Sequence, residues 1–362
     1  MNEISILGFS LYGPQAASHR VRLSQFQQGL AASGIHLEIQ SLFNDAYLQR
    51  RFAGERPSLL TLLAAYGRRL RELQRAQRFD LVIVYGDLLP LWPGWLERWL
   101  LKVPYIYDCD DAFHLKYRLG GLHRLELLLG AKIDLMMAAA VAITAGNAEL
   151  VAHARRFNAS VSLLPSVVDT EHYRPASPQR AAPGDQPLTV GWIGSPSTAP
   201  YLQELVAPLE RLALERPVRL LVVGGPAPVA SGVEVIEQPW ALEQEVHLIQ
   251  QFDVGVMPLP DTAWARGKCA YKLIQCMACG VPVIASPVGA NVDAVPPACG
   301  ILARHADDWL TAFRVLAADP GLRSTMGAAA RQWVEERYSL RSALPVLSGL
   351  IRQLVSNPKA CR

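Results

Sequence analysis

Apolar residues occur along this chain in short unbroken runs separated by polar, helix-compatible stretches. Residues 4–8, 81–85, 104–107, 138–144 and 161–164 form such runs in the first half, and 35–39 (IHLEI) reads as a further strand that alternates apolar with polar residues. Runs of this length without polar alternation predict strands buried on both faces, as in a parallel sheet. After the first run, Val21, Leu23, Phe26 and Leu30 recur at helical spacing. Ser18 is placed to cap the start of that helix, and Ser33-Gly34 to end it. Residues 45–78 read as helical and carry Arg50, Arg51, Arg56, Arg68, Arg69, Arg71, Arg75 and Arg78 against Asp45, Glu55 and Glu72. The rhythm restarts in the second half, with strands expected at 189–194, 219–225, 233–236 and 253–258 and a helix over 241–251. Helices follow over 309–318, 322–336 and 342–355. Strands alternating with helices predict open parallel α/β sheets, with ligand loops at the carboxyl ends of the strands.

A chain of 362 residues is longer than one core usually serves, so two domains are expected. Residues 174–187, RPASPQRAAPGDQP, hold four prolines and one glycine with no apolar period. They predict a linker at 175–187 between an N-terminal domain, 1–174, and a C-terminal domain, 188–339. A content of 51% hydrophobic and 19% charged residues excludes disorder as the main state. A net charge of +3 suits an anionic small ligand or a membrane surface and does not demand nucleic acid. The first residues read as a strand and not as a secretory leader. No stretch reaches ~18 uncharged apolar residues, because Lys132 and Asp134 interrupt 127–144. A cytoplasmic protein is therefore expected. The six cysteines lack the paired spacing of a disulfide scaffold. Cys276 and Cys279 form a CxxC at the end of an apolar helix, with no second pair nearby, and read as buried small hydrophobes.

The densest chemistry lies in residues 264–291. A basic, glycine-containing loop leads into an apolar segment, 271–279, which Gly280 stops. A β-branched run at 281–285 and a second loop at 286–289 complete one αβ unit. Lys268 and Lys272 lie four apart around the helix start, where backbone N–H groups and the macrodipole already attract anions. This arrangement suggests a phosphate site, although a solvated basic turn has the same spacing.

Four stretches, in order, resemble glycosyltransferase family 4 (group 1). They are 164–169 (LPSVVD) with 173–175 (YRP), 191–196 (GWIGSP), 252–259 (FDVGVMPL) and 277–289 (MACGVPVIASPVG). The resemblance covers most of residues 1–340 and is densest from 164 to 340. It implies the GT-B fold of the α/β class, with two Rossmann-like domains facing across a cleft. The N-terminal domain would take the acceptor, the C-terminal domain the donor, and roughly residues 340–362 would cross back to the N-terminal domain. The implied activity is a retaining transfer of sugar from a nucleotide-diphosphate sugar to an acceptor hydroxyl in surface glycan or polysaccharide biosynthesis. The implied partners are the nucleotide-sugar donor and a glycan or lipid-linked acceptor, with no nucleic acid and no metal or other cofactor.

Under that resemblance the diphosphate leaving group falls to Lys272 and Lys268, helped by backbone amides near Gly194-Ser195 and Val288-Gly289. Tyr271, Leu273 and Gln275 join the donor-binding set. The family's two glutamates, separated by seven residues, fall here on Gly267 and Gln275. Gln275 can still hydrogen-bond ribose hydroxyls, but Gly267 cannot replace a carboxylate. Lys268 and Lys272 form a GKxxxK-like variant of the pattern. In the N-terminal domain Gly13, Ser18 and Arg20 would contact the donor, Arg20 reaching the diphosphate; a helix start with exposed arginines is the alternative. His19 reads as solvent-facing. Asp108 and Asp110 form an Asp-x-Asp pair that could hold a divalent metal. In the family alignment Asp110 falls near a cleft histidine, so that Asp110 or Asp111 would contact sugar or acceptor hydroxyls; a structural cap is the third reading. His114 is four residues on and could share that place.

The arginine-rich residues 50–78 and the aromatic stretch 92–102 suit peripheral attachment to the inner face of an anionic membrane, with ordinary packed helices as the alternative. Two other functions stay open: a non-catalytic nucleotide-sugar-binding protein, suggested by Gly267, and a GT-B nucleotide-sugar epimerase, whose paired acid and base find no place in the sequence.

Overall fold

The computed structural model describes residues 3–52, 54–176 and 186–356, so most of the expected linker, residues 177–185, lies outside the described residues. The chain divides into two compact units, Met1–Ser166 with Ala343–Arg362, and Val167–Ser342.

The first unit holds a six-stranded sheet in the order β2-β1-β3-β4-β5-β6, every pair parallel. Its strands are β1 (Ile4–Ser10), β2 (Ile35–Ser41), β3 (Leu81–Tyr85), β4 (Tyr105–Cys109), β5 (Ala142–Ala145) and β6 (Val161–Leu163). β3, β4 and β5 are buried along their whole length, which is why their sequences show no polar alternation. The helical stretch after β1 is broken into α1 (Ala17–Arg22) and α2 (Gln27–Ala32) by a 3₁₀ turn at Ser24–Phe26. Ala16, not Ser18, occupies the N-cap of α1, so Ser18 sits inside the helix. Residues 45–78 are likewise two helices, α3 (Asp45–Phe52) and α4 (Leu59–Arg75). Pro57 disfavours helix at the residue before it, and the Ser58 hydroxyl caps α4 by accepting from the Thr61 amide at 3.1 Å. Then come α5 (Gly94–Leu100), α6 (Glu126–Leu129), α7 (Lys132–Ala139) and α8 (Ala148–Ala154). The run expected as a strand over 138–144 is shared between the end of α7 and β5.

Charges buried in this unit are matched. Lys132 Nζ lies 2.5 Å from Asp87 and 2.9 Å from Glu97. Asp87 also accepts from Lys116 at 2.7 Å and from the Tyr117 hydroxyl at 2.6 Å. Burial raises both carboxyls; the two lysines outweigh it at Asp87 and hold that acid low, whereas Glu97 is pushed up to about 8. The cluster thus sets a proton-holding acid, Glu97, beside an aspartate paired with two lysines. Arg69, fully buried, donates to Leu88 O at 3.0 Å, Gln40 Oε1 at 2.6 Å and Ser10 O at 2.6 Å, tying down the carboxyl ends of β1 and β2 and the loop after β3.

The second unit holds another parallel six-stranded sheet, in the order β12-β11-β10-β7-β8-β9. Its strands are β7 (Leu188–Ile193), β8 (Val218–Val223), β9 (Glu234–Gln238), β10 (Val254–Met257), β11 (Val283–Ala285) and β12 (Gly300–Leu302). Its helices are α9 (Val206–Ala213), α10 (Glu245–Ile249), α11 (Ala263–Arg266), α12 (Tyr271–Ala278), α13 (Ala290–Ala294), α14 (Ala306–Ala318) and α15 (Pro320–Arg337). A last helix, α16 (Leu340–Ser356), has its first residues in this unit and Ala343 onward in the other. Side chains alternate across the central strands into two cores. Val190, Trp192 and Val222 meet Leu209, Trp309 and Phe313 on one face. Ile193, Leu221 and Phe252 meet Leu273, Met277 and Val334 on the other. Each fully buried large side chain contributes about 1.5–3 kcal/mol. Strand order reverses between β7 and β10, so the loops after β7, β10 and β11 leave the sheet side by side at its carboxyl edge.

Candidate functional site

In the second unit the site is built where the end of β7 meets the start of α12. Lys272, second residue of α12, donates from Nζ to the Thr198 hydroxyl at 2.8 Å. The same ammonium lies 4.3 Å from the centroid of the buried Trp192 ring. A Cβ on Gly194 would stand 2.4 Å from Nζ, so only glycine leaves room for the cation. Burial, then the nearby charge of Lys268, lowers the Lys272 ammonium to about 7. Ala270, just before α12, is held at φ 54° and ψ 18°, a left-handed conformation rare for a residue with a Cβ. Such strain persists only where the surroundings enforce it. Ala270 is 1% exposed.

The loop after β11 is fastened to its neighbours by backbone. At Gly289, φ is 53°, and a Cβ would meet Arg266 O at 2.5 Å, so the two loops touch main chain to main chain. The buried Ser286 hydroxyl accepts from the Leu259 amide at 3.0 Å, and Asn291 Nδ2 donates to Ser286 O at 3.0 Å. Two amides expected to face an anion are spent internally: Val288 N donates to Ser286 O at 2.8 Å, and Gly194 N to Val223 O at 3.0 Å. In the loop after β7, the Ser195 and Ser197 hydroxyls lie 2.9 Å apart. Both are exposed, and Thr198 donates back to Ser195 O at 3.1 Å.

Gln275 does not reach outward as expected. It is buried and donates to the Tyr173 hydroxyl at 3.0 Å and to Glu245 Oε1. Glu245 also accepts from Tyr173 at 3.0 Å and from the Trp240 indole at 3.1 Å. A glutamate at 275 would set a second carboxylate against Glu245, so the amide is the residue this pocket accepts. Tyr271 lies at the rim of the same cluster, its hydroxyl 3.5 Å from that of Tyr173. Leu273 is a core residue whose side chain has no access to a ligand. Cys276 and Cys279 are buried; burial pushes both thiols up, that of Cys279 to about 12, as suits packing and not redox work.

In the first unit, β4 carries the acidic run. Asp108 is buried and bound by Arg22 at 2.9 and 2.5 Å and by the Thr144 hydroxyl at 2.6 Å. It is therefore committed to the fold and is not half of a metal-binding pair. Among the described residues no group of three or more histidine, cysteine, aspartate or glutamate side chains could hold a metal ion. Asp110 accepts from the Tyr85 hydroxyl at 2.6 Å, and burial pushes its carboxyl up to about 6 against the pull of Arg22. Asp111 turns back to the Ala112 amide at 3.1 Å. His114 stacks on His153, centroids 3.6 Å apart, and burial followed by the His153 charge pushes it down to about 4.

The loop after β1 is closed on itself. Arg20 donates to Pro14 O at 2.9 Å and to Gln15 O at 2.8 Å. A Cβ on Gly13 would lie 2.6 Å from Asp45 Oδ1, which accepts from the Gln15 amide at 3.0 Å. His19, expected in solvent, is buried with Nδ1 3.1 Å from both Ser10 Oγ and Tyr12 O, because α1 turns that face onto β1. The structure thus groups Lys268, Lys272, Gly194 and Ser195 in one unit, and places Asp110 and Asp111 at the end of β4 in the other. Trp192, Thr198 and Glu245 were not identified from sequence. Thr198 falls in the small-residue loop after β7, but nothing there signals its bond to Lys272.

Residues 187–319 match the family model described as glycosyl transferases group 1. A GDP-mannose-dependent monoacylated alpha-(1-6)-phosphatidylinositol monomannoside mannosyltransferase of Corynebacterium glutamicum is 27% identical over 49% of this chain and 52% of its own length. A D-inositol 3-phosphate glycosyltransferase of Gordonia bronchialis is 32% identical over 48% of this chain and 42% of its own. The chain thus spans about half the length of the curated relatives it matches. The crystal structure of Anabaena Alr3699/HepE in complex with UDP-glucose superposes with a TM-score of 0.68 at 14% identity, covering 99% of this chain and 100% of that one. No helix among the described residues is long and apolar enough to cross a membrane. With two parallel Rossmann-like sheets and this superposition, the chain has the GT-B fold, and over residues 187–319 it is similar to the group 1 glycosyl transferases.

Proposed function

We propose that this chain transfers a sugar, with retention of configuration, from a nucleotide-diphosphate sugar to an acceptor hydroxyl in the assembly of a surface glycan. The observation that carries the reading is the desolvated Lys272 ammonium, held between Trp192 and Thr198 at the carboxyl edge of the sheet in a group 1 domain. When the donor's glycosidic bond breaks, negative charge grows on the diphosphate, and a pre-placed cation in a dry site stabilises that charge more than one in water. Lys268 would add a second charge, and the exposed Ser195 and Ser197 hydroxyls would donate hydrogen bonds. The arriving diphosphate in turn favours the protonated form of Lys272. The leaving charge is carried by side chains, so the reading requires no metal. Retention follows if the acceptor attacks on the face the diphosphate leaves, its proton passing to a donor phosphate oxygen. Asp110 and Asp111 would then receive hydrogen bonds from sugar or acceptor hydroxyls. A relative named for GDP-mannose and a phosphatidylinositol mannoside, and a structural neighbour solved with UDP-glucose, support a nucleotide-sugar donor and a lipid-linked acceptor.

Gly267, where no side chain can contact the sugar, favours one second reading, a protein that binds nucleotide sugars without turning them over. Calorimetric titration with UDP-, GDP-, dTDP- and ADP-sugars, followed by product analysis, separates the readings. Binding with release of nucleoside diphosphate and a new glycoside supports transfer. Binding without turnover supports the second reading, and recovery of an isomerised nucleotide sugar would point to epimerisation.

A further inference from the structure

On the first unit, large apolar side chains stand in solvent where a monomer would ordinarily bury them. Trp95 and Trp99, one turn apart on α5, are 64% and 65% exposed, and Leu127 on α6 is fully exposed. Leu59 and Leu63 on the first turns of α4 and Leu91 in the loop after β3 are exposed as well. Local structure fixes several of these groups. Leu91 is held at φ 65°, which a branched residue adopts only under constraint. Its amide is fastened to the Tyr117 hydroxyl at 3.1 Å, and the preceding Pro90 O accepts from the Tyr66 hydroxyl at 2.6 Å. Tyr66 stacks on Trp92 with centroids 6.0 Å apart and shares a helix face with Leu59 and Leu63. α5 packs against α7, with Gly94 on the Lys132 backbone, which leaves Trp95 and Trp99 on the outer side.

The charges in the same stretches are mostly of one sign. Exposed Arg51, Arg56, Arg98, Lys102 and Arg124 stand against exposed Glu55 and Glu126. Lys102 Nζ lies 5.6 Å from the Trp99 ring centre. We infer that this surface docks the protein on an anionic lipid bilayer, with the tryptophans and leucines entering the headgroup region and the cations meeting lipid phosphates. Tryptophan is suited to that boundary because its ring is apolar and its N–H polar, and clustered cations add attraction to an anionic leaflet. A second copy of the chain fits worse, because two such surfaces would bring like charges together. The inference rests on the proposed transfer only in its purpose, since docking and donor turnover are read separately.

The test is sedimentation of the full chain with phosphatidylcholine vesicles, with and without phosphatidylglycerol, at low and high sodium chloride. Binding should need phosphatidylglycerol and be released by salt. Trp95→Ser/Trp99→Ser/Leu127→Ser should lower the partition coefficient about tenfold or more, with turnover of a soluble nucleotide sugar unchanged. Arg56→Glu/Lys102→Glu should weaken binding and flatten its salt dependence, which checks the inference independently of the apolar set. Wild-type protein that stays in the supernatant, or a triple variant that pellets like wild type, would overturn it. So would light scattering that shows a wild-type dimer lost in the triple variant without vesicle binding, which would mark the surface as a contact between copies. Vesicle binding by a protein that turns over no nucleotide sugar would leave the docking intact and remove the proposed activity.

Discussion

The Lys272 ammonium rests 4.3 Å from the centre of the Trp192 indole, so one side of the cation is dry while Thr198 fixes the other. Strand β7 supplies the ring, the loop after it the hydroxyl, and α12 the lysine. A half-buried cation held in place is costly for the free protein and effective against an incoming anion.

Gly194→Ala tests that placement. The added methyl would lie 2.4 Å from Lys272 Nζ and 2.6 Å from Trp192, so the cation or the ring must move. Steady-state kinetics should show kcat/KM lowered by about 10²-fold, the size of effect expected when a reacting group is displaced by about an ångström. Wild-type kinetics in this variant would mean that the lysine has room to spare.

The pH dependence has two limbs with opposite signs. Asp110 is the stronger acceptor when ionised, so kcat/KM should rise through about pH 6. Lys272 acts only when protonated, so kcat/KM should fall as pH rises through about 7. With donor bound, the diphosphate favours the ammonium, and the alkaline limb of kcat should move to higher pH. Lys272→Arg should abolish that limb, because a guanidinium keeps its proton. A profile flat from pH 5 to 9 would remove both assignments.

The Gln275–Glu245 contact predicts a compensating swap. Gln275→Glu should cost on the order of 3 kcal/mol at neutral pH by setting two carboxylates side by side in a buried pocket. The double variant Gln275→Glu/Glu245→Gln restores one acid and one amide, and should recover most of the loss in urea unfolding. Additive losses would show that the two residues are not coupled.

Much of this architecture was legible because its strands are covered on both faces, so the runs at 4–8 and 81–85 carry no polar alternation. Lys268 and Lys272 were legible for a local reason, a four-residue spacing at a helix start. What could not be read depends on pairs distant in sequence: Thr198 with Lys272, Glu245 with Gln275, and Arg22 with Asp108, which ties up half of an apparent metal motif. His19 was misjudged because a polar residue beside arginines looks exposed, yet α1 turns it toward Ser10. The break in residues 45–78 was signalled by Pro57-Ser58, and the arginine run obscured it.

The buried Lys132 cluster makes a stability prediction. Glu97 binds its proton more tightly folded than unfolded, so its contribution is fully present below about pH 4.5 and is lost progressively up to about pH 8. Glu97→Gln mimics the protonated acid and should stay within about 1 kcal/mol of wild type at pH 4, where the carboxyl is protonated in both folded and unfolded chains. Wild type should lose ground to that variant as pH rises from about 4.5 to about 8 and hold a constant difference above that. Asp87→Asn removes the carboxylate that balances Lys132, and should cost about 3–5 kcal/mol by chemical denaturation. Equal losses for the two variants would contradict the assignment of charge within the cluster.

The central claim is that Lys272 stabilises the departing diphosphate, and the most direct measurement is kcat/KM for donor turnover by wild type and Lys272→Ala with the same nucleotide sugar. A loss of about 10²-fold or more, with the thermal midpoint preserved, is predicted. A rate within a few-fold of wild type would contradict it.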